Sequence, residues 1–188
     1  MTCRLIQNIK HTCDYNPGGI AEIYLLDIRD FITYYFTNDS LYDSCDVDRI
    51  IMPHNVDYIH LDAVSESNFT ESNDNGLFKQ QLTTFIGTLQ HTKTSDAWLA
   101  STNKYVVFFR TAQGKVYSFG SDGGASFSFT QATAQSGGTS GYNITLNKNS
   151  TYPLFEVDAD KFNKTLVLGT ENRIVVSTED ERYAILIQ

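Results

Sequence analysis

Residues that could act as acids, bases, nucleophiles or metal ligands are few in this chain and scattered along it. Three cysteines and four histidines occur outside recognised nucleophile or zinc motifs, namely Cys3, Cys13, Cys45, His11, His54, His60 and His91. His11 and Cys13 could begin a zinc site, but a structural zinc site needs four ligands at recognisable spacing. We therefore interpret each histidine as an ordinary surface or strand residue rather than a catalytic base.

The glycine-rich segment 120–124 invites a reading as a phosphate-cradling or calcium-binding loop. It combines glycines with one carboxylate, Asp122, whereas calcium loops need several oxygen ligands. Its position between two strand-like segments indicates a turn instead. The chain contains no P-loop, no Gly-x-Ser-x-Gly, no His-Glu-x-x-His and no EF-hand motif. We expect no catalytic residues, no metal and no cofactor, and we predict that the protein is not an enzyme.

The balance of charge argues against a protein that grips nucleic acid. The chain has 22 acidic and 14 basic residues and a net charge of −8, whereas a nucleic-acid clamp presents a broadly basic surface. A negative wall repels phosphate groups and prevents DNA from adhering. The charge therefore suits a passage through which DNA slides better than a surface that holds it.

Length and composition indicate one folded domain, or one domain with an appendage. The chain has 188 residues, of which 41% are hydrophobic and 13% aromatic, so it can bury a core and is too apolar for a disordered chain. An odd number of cysteines without Cys-x-x-Cys spacing favours a reduced intracellular protein. We expect no signal peptide and no membrane span, because no suitable apolar run occurs in the sequence.

The strand signal is strongest in residues 104–157. Aromatic and β-branched residues dominate 104–110 and 115–120, and the short break between them ends in Gly114, which predicts a hairpin. Apolar and polar residues then alternate in 125–130 and in 142–147, which is the period of half-buried strands. We predict four or five antiparallel strands here, forming a β-sandwich or barrel.

Residues 20–26 predict another strand, with apolar side chains on both of its faces. We place Ile20, Tyr24 and Leu26 on one face and Ala21, Ile23 and Leu25 on the other. Such a strand is buried on both sides, either within the fold or against a neighbour. Residues 31–36 and the apolar positions between 50 and 61 predict two or three further strands.

Segment 94–101 is the best helix candidate. Thr94 or Ser95 can cap it, and because it is short, packing by Trp98 and Leu99 must hold it in place. We expect Trp98, the single tryptophan of the chain, to lie in the core, although a role as a ligand platform stays open.

The two segments before the helix are less regular. Residues 62–76 form the most polar stretch and predict an exposed loop or the tip of a long hairpin. Residues 77–90 predict a long strand with mixed polar and apolar faces. That pattern suits a strand whose neighbour belongs to another subunit and whose polar side faces a lumen, or an ordinary edge strand with partial cover.

Three stretches of sequence, taken together, carry a family resemblance. They are Asp-Tyr-Asn-Pro-Gly-Gly-Ile-Ala-Glu-Ile-Tyr-Leu at 14–25, the long strand at 78–90 before a short helix, and a finish in which Gly-Tyr-x-Ile-Thr-Leu at 141–146 precedes Pro-Leu-Phe-Glu-Val at 153–157. They resemble the tail tube proteins of Bacteroidetes phages and prophages. The resemblance covers residues 1–157.

This resemblance implies a virion structural protein of the tail or the head-tail connector, assembled in the host cytoplasm. Its subunits would join their sheets edge to edge into a homo-oligomeric ring and would contact neighbouring virion proteins. DNA would be transient cargo in the channel, which Asp, Glu and Asn would line. Loops such as 62–76 would reach a neighbouring ring.

The family pattern ends near Val157, so residues 158–188 form an extension. We predict a mainly β protein: an antiparallel β-sandwich or barrel of tail-tube type at 1–157 with one short helix, and a C-terminal β-meander with strands at 166–168, 173–177 and 183–187. Two other readings stay open. One is a monomeric β-sandwich binding module, for carbohydrate or adhesion, in which some of the 11 tyrosines and 12 phenylalanines serve as stacking platforms. The other is a tube protein of a phage-derived injection machine.

Overall fold

The structure, a computed structural model, describes residues 18–37, 45–53, 56–62, 64–133, 138–162, 169–170, 173–177 and 184–186. Eleven strands form one sheet: β1 Ile20–Asp27, β2 Thr33–Phe36, β3 Asp46–Ile51, β4 Ile59–Leu61, β5 Val64–Asp74, β6 Leu77–Gly87, β7 Lys104–Thr111, β8 Val116–Phe119, β9 Ala125–Ala132, β10 Gly141–Ser150 and β11 Phe155–Val157. A second sheet contains β12 Gly169–Thr170, β13 Arg173–Ser177 and β14 Ala184–Leu186, and the helices are α1 His91–Ser101 and α2 Ala159–Phe162. The prediction of a mainly β fold with a short helix is confirmed.

The large sheet is mixed rather than purely antiparallel. Its strands follow the order β2-β3-β11-β8-β7-β9-β10-β6-β5, and β1 joins β7 and β4. β11 pairs in parallel with β3 and antiparallel with β8. The expected all-antiparallel arrangement is therefore wrong at this point. A parallel pair needs a long crossover connection, and here most of the other strands lie between β3 and β11 in sequence.

Strands β1 and β7 form the centre of the molecule, because both of their faces are buried. On one face, Ile23 and Leu25 of β1 and Phe109 of β7 belong to a first apolar cluster. On the other face, Leu26 and Phe108 belong to a second cluster. The prediction that β1 is buried on both sides is thus confirmed, and the cover comes from this chain.

One detail of β1 differs from the alternation that its sequence suggests. The pairing of β1 with β7 shifts between Ile20 and Glu22. A bulge places two residues opposite one and so changes the face of every residue beyond it. Ile20 consequently packs against the first cluster with Ile23 and Leu25, whereas we had grouped it with Tyr24 and Leu26.

The turns predicted between residues 104 and 157 are confirmed. In the β7–β8 hairpin, Gly114 has φ +85° and donates a backbone hydrogen bond to Thr111 at 2.9 Å. In the next turn, the Gly124 N–H bonds to the Gly120 carbonyl at 2.8 Å, and both glycines have positive φ. These turns help to connect the five strands β7 to β11. Those strands pair with one another in antiparallel fashion.

Residues 64–74 are a strand, not an exposed loop. β5 pairs with β6 along most of its length, and the hairpin turns at Asn75 and Gly76, whose φ angles are +53° and +88°. Two positive φ angles in succession mark the two-residue turn that Asn-Gly favours between strands. The tip of this long hairpin is therefore the turn at Asn75 and Gly76, whereas residues 64–74, predicted as loop or tip, form one of its arms.

β6 is an internal strand rather than an edge strand. It pairs with β5 on one side and along its length with β10 on the other. Its neighbours therefore belong to the same chain, and the idea that another subunit supplies the adjacent strand is wrong for β6. The side of β6 that faces the first cluster presents buried Gln80, Leu82 and Thr84.

Helix α1 is longer than predicted and packs through different residues. It begins at His91 with Gln90 as its N-cap, and no side chain caps it. The hydroxyls of Thr94 and Ser95 instead bond to carbonyls one turn earlier. Ala97 is the buried residue of the helix, while Trp98 and Leu99 are 69% and 64% exposed. The expectation that these two large side chains anchor the helix is wrong, because the helix turns its small residues toward the sheet.

Helix α1 is held against the sheet by a tyrosine of the sheet, and not by Trp98 and Leu99. The Tyr142 hydroxyl, on β10, accepts a bond from the Gln90 N–H at 3.0 Å, donates to the Gln90 carbonyl at 2.9 Å and lies 2.8 Å from the Thr94 hydroxyl. Tyr142 is 2% exposed, so its hydroxyl is held in place beside the start of the helix.

We expect the Tyr142→Phe substitution to lower the free energy of unfolding by about 1–2 kcal/mol, because the phenol oxygen is lost while the ring stays. Chemical denaturation measures this change. Hydrogen exchange of the α1 amides should accelerate more than that of β7. Equal acceleration in both elements would contradict a local anchoring role.

Residues after β11 still contribute to the large sheet's packing. Phe162 of α2 is 2% exposed and belongs to the second cluster, and the Phe162 N–H bonds to the Asp158 carbonyl at 2.9 Å. The division after residue 157 stays a prediction. Farther along, β13 pairs antiparallel with β12 and β14, which is the predicted meander. Its first strand lies at Gly169–Thr170, and the predicted first strand, residues 166–168, lies outside the described residues.

Candidate functional site

The four neighbouring strands β9, β10, β6 and β5 carry an outward surface of short polar side chains, which we call the polar face. Its residues are Ser126, Ser128 and Thr130 on β9, Asn143, Thr145, Asn147 and Asn149 on β10, Lys79, Gln81 and Thr83 on β6, and Asn68, Thr70 and Ser72 on β5. All of them are exposed or half-buried.

The strand register aligns these side chains into rows across the sheet. Ser126 lies opposite Asn147, Asn147 opposite Gln81, and Gln81 opposite Thr70. The next row runs through Ser128, Thr145, Thr83 and Asn68 in the same way. Directly opposed residues lie on the same side of a sheet, so the polar face is continuous over all four strands in these two rows. In the row beyond them, Asn143 lies opposite Phe85.

The other side of the same four strands is dry. Phe127 lies opposite Leu146, Leu146 opposite Leu82, and Leu82 opposite Phe69. These residues belong to the first apolar cluster or pack against it. Because one side is packed and the other is open to solvent, the polar face is held on a rigid sheet rather than on loops.

Hydrogen bonds within the polar face fix some of its side chains. The Thr83 hydroxyl donates to the Asn68 side-chain oxygen. The Ser128 hydroxyl donates to the Thr145 carbonyl at 3.1 Å. Bonds of this kind hold hydroxyls and amides in place and leave a flat surface with little conformational freedom.

The polar face is nearly free of charge. Its charged side chains are Lys79 and, at the hairpin end, Asp74, which lies opposite Leu77 on the same side of the sheet. The Lys79 ammonium lies 2.9 Å from the Asp74 carboxylate, so the two charges neutralise each other. About a quarter of the residues in an average globular domain are charged. The polar face is therefore a surface of hydroxyls and amides whose lysine is neutralised by a neighbouring carboxylate.

A groove of ≈ 510 Å³ opens on this surface, near the start of β7. Its described lining comprises three lysines, four amides, three hydroxyl side chains and Gly124, with no carboxylate among them. Lys148 neighbours Asp122, with 3.3 Å between its ammonium and the carboxylate. Lys104 forms no ion pair with a carboxylate in the described part of the chain, and it is exposed.

The residues singled out as possible chemical groups do not come together. His60 lies at the surface on β4, 3.3 Å from Asp62, and His91 is exposed at the start of α1. His11, His54, Cys3 and Cys13 lie outside the described residues. The described ranges contain no group of three or more His, Cys, Asp or Glu side chains that could hold a metal ion.

Cys45 is exposed but poorly activated as a nucleophile. Partial burial of the sulfur and then the charge of Glu71 raise the pKa of its thiol, so it holds less thiolate at neutral pH than a free cysteine. The segment 120–124 is the predicted turn. Its carboxylate, on Asp122, accepts a bond from the Thr151 N–H at 3.2 Å, which ties it to the fold.

No protein-family model, no curated protein and no solved structure matches this chain. Among the helices of the described ranges, none has the length and apolarity required to cross a membrane.

Proposed function

We propose that the protein is a ring-forming structural subunit of a phage tail tube or head-tail connector, and that its polar face lines the channel through which DNA leaves the particle. The observation that carries the proposal is the continuous, nearly uncharged polar face on a rigid four-stranded sheet. The proposed location is the virion, after assembly in the host cytoplasm, with neighbouring tail or connector proteins as partners.

The chemistry of the polar face suits a cargo that must pass without adhering. Proteins that hold DNA neutralise many phosphates with Lys and Arg, whereas this face carries Lys79, paired with Asp74, and has Lys104 at its border beside the groove. Hydroxyl and amide groups hydrate well and interact with phosphate without strong attraction. The channel lining proposed here includes Asn, as the resemblance implies, while Ser and Thr take the place of Asp and Glu.

The open edge of the sheet supports assembly. β5 is the last strand of the path, and no described strand pairs with its outer side along its 11 residues. A long exposed edge is a template for pairing with another chain. Closing a ring of subunits removes such edges, as closing a barrel does within one chain.

Electron microscopy of the purified protein at low and high concentration tests the proposal. We expect rings or short tubes with a central hole, increasing with concentration, because edge pairing follows mass action. Small particles at every concentration, together with absence of the protein from isolated phage particles, would overturn it.

A label identifies the surface that faces the hole. The variant Asn147→Cys, in a background where Cys3, Cys13 and Cys45 are serine, should carry a maleimide-gold label inside the central hole. The matched variant Trp98→Cys, on exposed α1, should carry the label outside it. Gold outside the ring in both variants would exclude the polar face as the channel lining.

The alternative of a carbohydrate-binding module finds less support in the packing of the aromatic residues. Tyr34, Tyr142, Phe108, Phe119 and Phe155 are buried, so they cannot stack on a sugar. Tyr35 and Trp98 are exposed, at 60% and 69%, but they lie on different elements, β2 and α1. A particle that stays near 21.2 kDa at all concentrations and binds oligosaccharide would favour the module.

A further inference from the structure

We propose that the groove beside Lys104 is a contact site for the phosphodiester backbone of nucleic acid, one on each subunit. The choice of DNA as the ligand rests on the proposed function, whereas the anion-binding chemistry rests on the groove alone. The channel would otherwise be neutral. At this site it would attract the DNA weakly.

The charge of the groove is opposite to that of the protein. The chain carries a net charge of −8, yet the groove is lined by three lysines and by no carboxylate among its described residues. Two of these lysines have carboxylate neighbours, Lys79 with Asp74 and Lys148 with Asp122. Lys104 has none among the described residues, so its ammonium is the group left to attract an anion.

Lys104 is held in place by the turn that packs against it. It starts β7 opposite Ser126 of β9, and its backbone carbonyl accepts a bond from the Ile28 N–H at 3.0 Å. A Cβ added to Gly124 would lie 2.6 Å from the Lys104 Cβ. The absence of a side chain at Gly124, which also has φ +82°, therefore lets the turn close against Lys104 and form one wall of the groove.

The uncharged side chains that line the groove also suit contacts with a nucleotide chain. The hydroxyls of Thr70, Ser72 and Ser126 and the amides of Asn147 and Asn149 line the groove with the lysines. Hydroxyls and amides donate hydrogen bonds to phosphate oxygens without selecting a base. A site with one unpaired ammonium and such neighbours binds phosphate weakly, independently of sequence and with strong dependence on salt.

Nuclear magnetic resonance suits a weak site. The full chain, labelled with ¹⁵N, is titrated with a short oligothymidylate at low salt. We expect the amide signals of Gly124, Ser126 and Asn147 to move most, and the shifts to shrink as potassium chloride rises. The Lys104→Gln variant should bind about five- to tenfold more weakly, the loss of about one phosphate contact.

The control is Lys115→Gln. Lys115 is a surface lysine that does not line the groove, and its ammonium lies 2.8 Å from Glu156. The variant should leave the titration unchanged. Equal weakening by both variants, shifts spread over the surface, or no shifts at low salt would overturn the proposal. So would saturation by inorganic phosphate at the same concentrations, or shifts of these signals by maltotriose that persist in Lys104→Gln.

Ring formation by Lys104→Gln separates this inference from the proposed function. Lys104 lies on β7 and not on the open edge of β5, so the variant should assemble like the wild-type protein. Rings without a DNA-dependent shift would overturn the contact site alone. A shift without rings would support the site and count against the tube.

Discussion

Replacement of Phe162 by alanine is expected to lower the free energy of unfolding by about 3–5 kcal/mol, the usual cost of removing a buried phenylalanine ring. Phe162 is 2% exposed. Its ring lies 4.9 Å from that of Tyr58, 5.3 Å from Tyr24 and 5.4 Å from Phe108. Aromatic pairs at these separations attract each other beyond the area that they bury, and alanine leaves a cavity among three rings.

Urea denaturation followed by circular dichroism measures the change. The control is Trp98→Ala, which removes a larger aromatic side chain that is 69% exposed and should alter stability by no more than about 0.5 kcal/mol. Because Phe162 follows the predicted boundary at residue 157, the comparison also tests where the first domain ends. Equal stability of Phe162→Ala and wild type would mean that α2 does not belong to the folded unit.

The strands between residues 104 and 157 are predictable because each is packed on one side or lies at the centre. Tyr142, Ile144 and Leu146 are buried while Asn143 and Asn147 are exposed, so alternation in the sequence translates directly into burial. Turns with glycine at positive φ mark the strand ends. In this region, local sequence and tertiary structure agree, which is the condition under which sequence patterns are informative.

The predictions that failed share a physical cause. Residue types and their spacing in the sequence do not specify which other element a strand or helix will pack against. β5 contains Ser, Asn and Glu in place of alternating apolar residues, so the signal of a strand was absent and its pairing with β6 supplies the stability. Trp98 is expected in the core because it is the single tryptophan and stands next to Leu99 on a helix. Helix α1 instead approaches the sheet through Ala97 and the Tyr142 hydroxyl, and neither contact leaves a pattern in the sequence of the helix.

Only part of the polar face can be predicted from the sequence. Ser126 and Ser128, and likewise Asn143 and Asn147, are visible as the polar half of alternating segments. Whether they point toward one surface depends on the register between β9, β10 and β6, which is set by contacts distant in sequence. The Asn75–Gly76 turn was the available signal for the β5–β6 hairpin, since Asn-Gly between two strands predicts a two-residue turn.

The Gly141→Ala substitution is expected to destabilise the protein by about 3 kcal/mol or more, because the added methyl group meets main-chain atoms that cannot rotate away. A Cβ at Gly141 would lie 2.3 Å from the Ile86 carbonyl oxygen and 2.6 Å from the Phe85 ring. Relief therefore requires β10 to move away from β6, and that movement disturbs the pairing on which the polar face depends.

The matched control for this substitution is Gly87→Ala, directly across the ladder from Gly141. A Cβ at Gly87 meets its nearest atom, on the Phe85 ring, at 4.0 Å, an ordinary contact. Alanine there should change stability by less than about 1 kcal/mol and can stabilise the fold, because it restricts the unfolded chain. Both variants are measured by urea denaturation, and by electron microscopy if rings form. A Gly141→Ala protein as stable as Gly87→Ala would show that β10 and β6 are not as close at Gly141 as the structure places them.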